Sequence, residues 1–116
     1  MVNTFIQHHD LYLLQWCQMI FLWEILVPCL RNGKPVRTRS HREWDKRVRR
    51  ISNGLTIFKP SLGNWLDKEG NLYIERMIPV RVACTREQIN EISDFTAEFY
   101  CQKAIMFYKI SDEVVI

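Results

Sequence analysis

Apolar residues follow two rhythms along this chain, short runs alternating with a period of two and longer stretches with a period near 3.6. Ile20 to Val27 (IFLWEILV) is a branched and aromatic run closed by Pro28. It predicts a buried strand with Glu24 on the face opposite Trp23 and Ile25. Arg31 to Arg39 reads as a loop, with Asn32-Gly33 and Pro35 as turn signals. Ser40-His41-Arg42-Glu43 has the form of a capping box, and Trp44, Val48 and Ile51 follow at helical spacing. An amphipathic helix is therefore expected from Ser40 to the stop at Ser52-Asn53-Gly54. Leu55 to Lys59 alternates as a second strand. Pro60 to Asn71 reads as a long exposed connection, with Trp65 expected to fold back onto the domain.

Leu72 to Cys84 is the longest strand candidate. Ile78, Val80, Val82 and Cys84 point one way, and Tyr73, Glu75, Met77 and Arg81 the other. Pro79 has no N–H to give a ladder, so it belongs at an edge-facing or bulged position. Thr85-Arg86-Glu87-Gln88 repeats the capping-box form. Ile89, Ile92, Phe95, Phe99 and Tyr100 then make the apolar face of a helix running to about Gln102. Ala104 to Ile110 is a fourth strand, and Val114 to Ile116 is a candidate extension beyond a Ser111-Asp112 turn.

The order strand, helix, strand, strand, helix, strand predicts an α+β fold of the ferredoxin-like βαββαβ kind. Its four-stranded antiparallel sheet would carry both helices on one face. The segment GLTIFKP-SLGNW-LDKEGNLY-IERMIPVRVAC, with the closing helix and strand, resembles small uncharacterised ferredoxin-like proteins of bacteria and their mobile elements. That resemblance implies the fold over about residues 20–116 and carries no catalytic residue with it. The expected division is an N-terminal extension, 1–18, and a ferredoxin-like domain, 19–116.

Composition changes this picture in only one respect. At 116 residues, with 47% hydrophobic and 25% charged residues, the chain is an ordinary single globular domain rather than a disordered one. Its net charge of +3 is unevenly placed: Arg31 to Arg50 carries +7 and the other residues −4. Arg37, Arg39, Arg42, Lys46, Arg47, Arg49 and Arg50 are thus candidates for an anionic partner, with nucleic acid preferred. The solvated alternative has these cations paired with Glu87, Glu91 and Asp94 of the second helix.

Cys17, Cys29, Cys84 and Cys101 have no CxxC spacing, which favours buried free thiols in a reducing cytoplasm over disulfides or zinc. Leu11 to Leu30 is apolar, yet Gln15, Gln18 and Glu24 interrupt it, so a membrane span is not expected. No cofactor is implied. His8, His9 and Asp10 read as an accidental polar patch rather than a metal site.

The second candidate region is the sheet face without helices, expected to carry Glu24, Thr56, Phe58, Tyr73, Glu75, Met77 and Arg81. So many large side chains on one open face predict a partner there, first of all a second copy in a homodimer. Base stacking on this face is poorly served, because the aromatic spacing of the RNA recognition motif is absent. His41 and Asp45, four apart, could form an acid–base pair, but no nucleophile or phosphate loop accompanies them. The leading expectation is a non-enzymatic protein binding an anionic partner through its basic loop and helix. Two alternatives stand beside it, a dimeric α+β barrel enzyme or sensor with a site between sheet faces, and an inhibitor or interaction module of a mobile element.

Overall fold

The computed structural model describes residues 19–115. The expected extension, with its histidine pair, and Ile116 lie outside the described residues. Strand β1 (Ile20–Pro28) runs through the centre of the sheet. Beyond it Asn32 and Gly33, with φ of 53° and 77°, reverse the chain in a tight turn. This joins two short strands, β2 (Leu30–Arg31) and β3 (Lys34–Pro35), where a plain loop was expected. Two consecutive positive φ values define the turn type that fits a two-residue hairpin, and Asn-Gly is its favoured sequence.

Helix α1 (Thr38–Ser52) starts two residues before the expected box. Arg37 is its N-cap and supplies no side-chain cap, while the Arg37 carbonyl accepts from the Ser40 and His41 amides. The Ser40–Glu43 box therefore does not form, because Ser40 already lies within the first turn. Trp44 and Val48 are buried as expected, and Asn53 closes the helix in the left-handed region, its amide donating to the Arg49 carbonyl.

The next strand, β4 (Thr56–Ile57), is short. The expected connection that follows contains strand β5 (Ser61–Leu66), which pairs with the start of β6 (Leu72–Thr85) from Ser61↔Met77 to Leu66↔Leu72. Between them the Asp67 carboxylate accepts from the amides of Glu69 and Asn71, the Asn71 side chain and the Tyr73 hydroxyl. Those donors, Asn71 foremost, hold the Asp67 carboxyl below its usual value.

Helix α2 (Arg86–Phe99) opens on the expected box: Thr85 Oγ1 accepts from the Gln88 amide and Gln88 Oε1 accepts from the Thr85 amide. Gln88 Nε2 also donates to the last turn of α1 at the Ile51 carbonyl. Strand β7 (Phe107–Ser111) completes the sheet; Val114 and Val115 do not extend it.

The order β4–β6–β1–β7, antiparallel throughout, is ferredoxin-like, and β5 makes a fifth strand on the distal half of β6. Trp23, Ile25, Val27, Val80, Val82 and Cys84 pack from the sheet against Trp44, Val48, Ile89, Ile92 and Tyr100 from the helical layer. Two indole hydrogen bonds fix this core: Trp23 Nε1 donates to the Cys84 carbonyl and Trp44 Nε1 to Thr96 Oγ1. The Pro79 carbonyl accepts from the Phe58 amide, so the side of β6 that lacks an N–H faces beyond the end of β4, as the edge rule requires. Only Cys84 of the described thiols is buried; Cys29 is half-buried and Cys101 exposed, which corrects the expectation of uniform burial.

Candidate functional site

Strands β5 and β6 project past the end of β1 at Pro28, the last residue that β1 pairs with β6. The result is a two-stranded arm, and the molecule measures 52 Å in its longest dimension against 32 and 22 Å. Alternation explains what the arm exposes. Ile74 and Leu72 continue the same face of β6 that carries Ile78, Val80 and Val82 in the core. No helix of the described residues covers that face in the arm. Leu62, Leu66, Leu72 and Ile74 are accordingly 63, 71, 58 and 62% exposed. Between Leu72 and Arg76, β6 is paired with β5 on one side and with no strand of the described residues on the other.

A cavity of about 760 Å³ sits at the root of the arm, facing that unpaired edge. Five consecutive residues, Tyr73 to Met77, line it. Successive side chains on a strand point to opposite faces, so a cavity touched by five in a row meets the strand edge-on. The opposite walls come from the end of β1 and the hairpin after it (Leu26, Pro28, Cys29, Leu30) and from Gln102, Ala104, Ile105 and Met106 before β7. Trp65 joins from β5. The lining is mostly aromatic, aliphatic and thioether, with Glu75, Arg76, the Tyr73 phenol and the Cys29 thiol as its ionisable groups. Burial pushes that thiol up, partly offset by the Arg76 charge, so Cys29 is a neutral thiol rather than a thiolate.

Behind the Cys29 wall lies a polar cluster. His41 Nδ1 and the Tyr100 hydroxyl are 2.7 Å apart, and the Arg31 guanidinium lies 4.9 Å from the Phe99 ring centre and 5.6 Å from that of Tyr100. Arg31 Nε is buried without a hydrogen-bond partner among the described residues. Burial holds His41 below the ordinary imidazole value against the opposing pull of Asp45, and Arg31 adds to the lowering. Burial raises Asp45, with His41 and Arg49 opposing, and burial also raises Tyr100. This pair was read in the sequence from spacing alone; its coupling to Tyr100 and Arg31 was not legible there.

The expected open-face set divides in two. Tyr73, Glu75 and Met77 line the cavity. Glu24, Phe58 and Arg81 gather elsewhere: Arg81 Nε donates to Glu24 Oε1 at 3.1 Å, its guanidinium lies 4.8 Å from the Phe58 ring centre, and the Tyr108 hydroxyl donates to Glu24. Of the basic set, Arg37, Arg39, Arg42, Lys46, Arg47, Arg49 and Arg50 are all exposed. At 100° per residue, Arg39, Arg42, Lys46, Arg49 and Arg50 form one stripe along α1, while Arg47 packs 4.7 Å from the Phe95 ring centre. No ion pair among the described residues joins this helix to Glu87, Glu91 or Asp94.

No protein-family model and no curated protein matches the sequence. Solved structures do match its shape. The periplasmic divalent cation tolerance protein CutA from Archaeoglobus fulgidus aligns over 84% of this chain and 88% of its own, with a TM-score of 0.62 at 15% identity. The divalent cation tolerance protein from Thermus thermophilus covers 84% and 86%, with a TM-score of 0.61 at 11% identity. A phage SAM lyase in complex with S-methyl-5'-thioadenosine covers 84% and 85%, with a TM-score of 0.58 at 13% identity. At these identities the likeness is one of fold.

The fold is that of these small ferredoxin-like proteins. The expectation of a nucleic-acid partner at Arg37–Arg50 is corrected by this result: these neighbours are described by divalent cations and by a thionucleoside, not by nucleic acid. Neither a site between stacked sheet faces nor an inhibitor surface gains support from them. No helix among the described residues is long and apolar enough to cross a membrane.

Proposed function

We propose that the protein is a homo-oligomer in which a second copy covers the arm of each subunit. The partner's strand pairs along the edge of β6, and the part of the cavity over the face of the arm that carries Trp65, Tyr73 and Glu75 is then a small-molecule site completed at that contact. The observation that carries this reading is the edge of β6 at Leu72–Arg76, which no strand of the described residues pairs, flanked by exposed leucine and isoleucine and opening on a cavity. Such an edge is a template for strand pairing, and natural proteins cover it. The β5 edge facing away from β6 has no partner strand among the described residues either, so a second copy offers a complementary strand with the same apolar character.

Two ligand chemistries are named for the fold neighbours, a divalent cation and S-methyl-5'-thioadenosine. The lining favours the second. Among the described residues no three His, Cys, Asp or Glu side chains converge to hold an ion. The cavity instead offers aromatic and thioether walls with a few polar groups, in the volume range of small-molecule pockets. We further propose that the protein works in a reducing compartment, the cytoplasm, a setting that suits the buried Cys84 thiol.

Titration calorimetry of the full chain with S-methyl-5'-thioadenosine, and separately with zinc and copper ions, tests this reading beside light-scattering mass. The reading expects a mass above that of one chain and heat from the thionucleoside. A single-chain mass at tens of micromolar together with no heat from any small molecule refutes it.

A further inference from the structure

Gly63 occupies the middle of β5, where a side chain would ordinarily pack, and the reason lies two residues along. An ideal Cβ at Gly63 would stand 2.7 Å from Trp65 Nε1 and 3.0 Å from Cε2 and Cζ2. The indole therefore lies across the glycine, in the space its side chain would take. In the register Trp65 pairs with Tyr73, Gly63 with Glu75 and Ser61 with Met77, so these residues share one face of the arm. The ring that covers Gly63 thus lies beside Glu75, with Tyr73 and Met77 on either side of it along β6. Trp65, Tyr73, Glu75 and Met77 all line the cavity, and Met106 faces them from the far wall.

We propose that Trp65 is the stacking platform of this cavity, laid flat by Gly63, and that the ligand carries a planar heteroaromatic ring with an amino donor for the Glu75 carboxylate. The inference rests on the reading of the cavity as a small-molecule site and names the chemistry that site selects. An indole face stacks a heterocyclic base, and a carboxylate at its edge (Glu75), as an acceptor, prefers an exocyclic amino group to a carbonyl oxygen. Soft thioether and apolar walls suit the remainder of a partly apolar molecule.

The test titrates the full-length protein with three probes, S-methyl-5'-thioadenosine, its inosine counterpart and methionine, reading heat and tryptophan emission. Wild type is expected to bind the adenosine compound, to bind the inosine compound less tightly, and to bind methionine least. Trp65→Leu is expected to weaken the adenosine compound by about 5- to 150-fold, the range for one stacked base, and to abolish the emission change. Gly63→Ala, which displaces the indole while keeping it, is expected to weaken the same compound, and Glu75→Gln to erase the amino preference. Far-UV circular dichroism and mass confirm that each variant is folded. Binding of the adenosine compound with equal affinity in wild type and Trp65→Leu overturns this inference and leaves the small-molecule reading standing. Binding of methionine alone does the same. No binding by any probe, in a protein of single-chain mass, overturns both.

Discussion

Replacing Leu72 and Ile74 by aspartate addresses the arm directly. Both side chains are about three-fifths exposed in a single subunit, so neither supports the intrachain core. Fully burying a leucine or isoleucine stabilises by roughly 1.5–3 kcal/mol, and about three-fifths of that remains to be gained here, or about 1–2 kcal/mol each. Losing both removes about 2–4 kcal/mol of association free energy per contact. At 1.4 kcal/mol per decade that raises the dissociation constant about 30- to 700-fold, before any cost of burying two carboxylates. Sedimentation equilibrium over a concentration series measures it. The variant is expected to become a single chain at concentrations where wild type is assembled, with unchanged far-UV dichroism. An unchanged mass distribution in the folded variant refutes the assignment of the arm as the contact.

Three further outcomes follow from the geometry. Thr96→Val keeps the shape of the core but leaves the fully buried Trp44 indole N–H without its acceptor, which should cost about 1–3 kcal/mol in urea unfolding. Adding Trp44→Phe removes the orphaned donor, so the double variant should lose less than the sum of the two single changes. Thr85→Ala breaks the formed capping box and should cost about 0.5–2 kcal/mol, whereas Ser40→Ala, which caps nothing, should cost little beside it. Because His41 binds protons less readily folded than unfolded, its contribution is present above the ordinary imidazole value of 6.5 and is lost as pH falls through that value towards the lowered folded one. Denaturant stability should therefore fall below about pH 6.5 in wild type. The fall should be shallower in His41→Gln, which has no titrating ring facing Tyr100, Asp45 and Arg31; equal slopes would show that this contact does not govern the response.

Much of the body was legible because its signals are local and agree with burial. The alternation of β6 placed Ile78, Val80, Val82 and Cys84 inside, and the Thr85–Gln88 box marked the start of α2 where both reciprocal bonds form. The Ser40–Glu43 box carried the same letters and failed. The short hairpin at Asn32-Gly33 returns the chain so that Val36 bonds Cys29, and the helix begins at Thr38 before Ser40 can act.

Strand β5 was hidden because Pro60, Gly63 and the Asp67–Gly70 run read as a loop; pairing with β6 overrides that preference. Gly63 is explained only by the Trp65 ring lying across it, a contact that no window of propensities contains. Trp65 was expected to fold back onto the domain; it lies across Gly63 and lines the cavity at the arm's root beside residues of the body. The cavity draws on segments near residues 26–33, 65, 73–77 and 102–106, so no single motif announced it. The basic stretch was the loudest signal in the sequence, yet it lies on an exposed stripe apart from that cavity.

The central claim is that a second copy covers the free edge of β6, and amide hydrogen exchange at Leu72–Arg76 tests it most directly. In a single subunit the alternate amides on that edge have no strand of the described residues to bond and should exchange at nearly unprotected rates. The account predicts strong protection there at high protein concentration, lost on dilution and lost in the Leu72→Asp, Ile74→Asp variant. Rapid exchange at those amides in concentrated wild-type protein would contradict it.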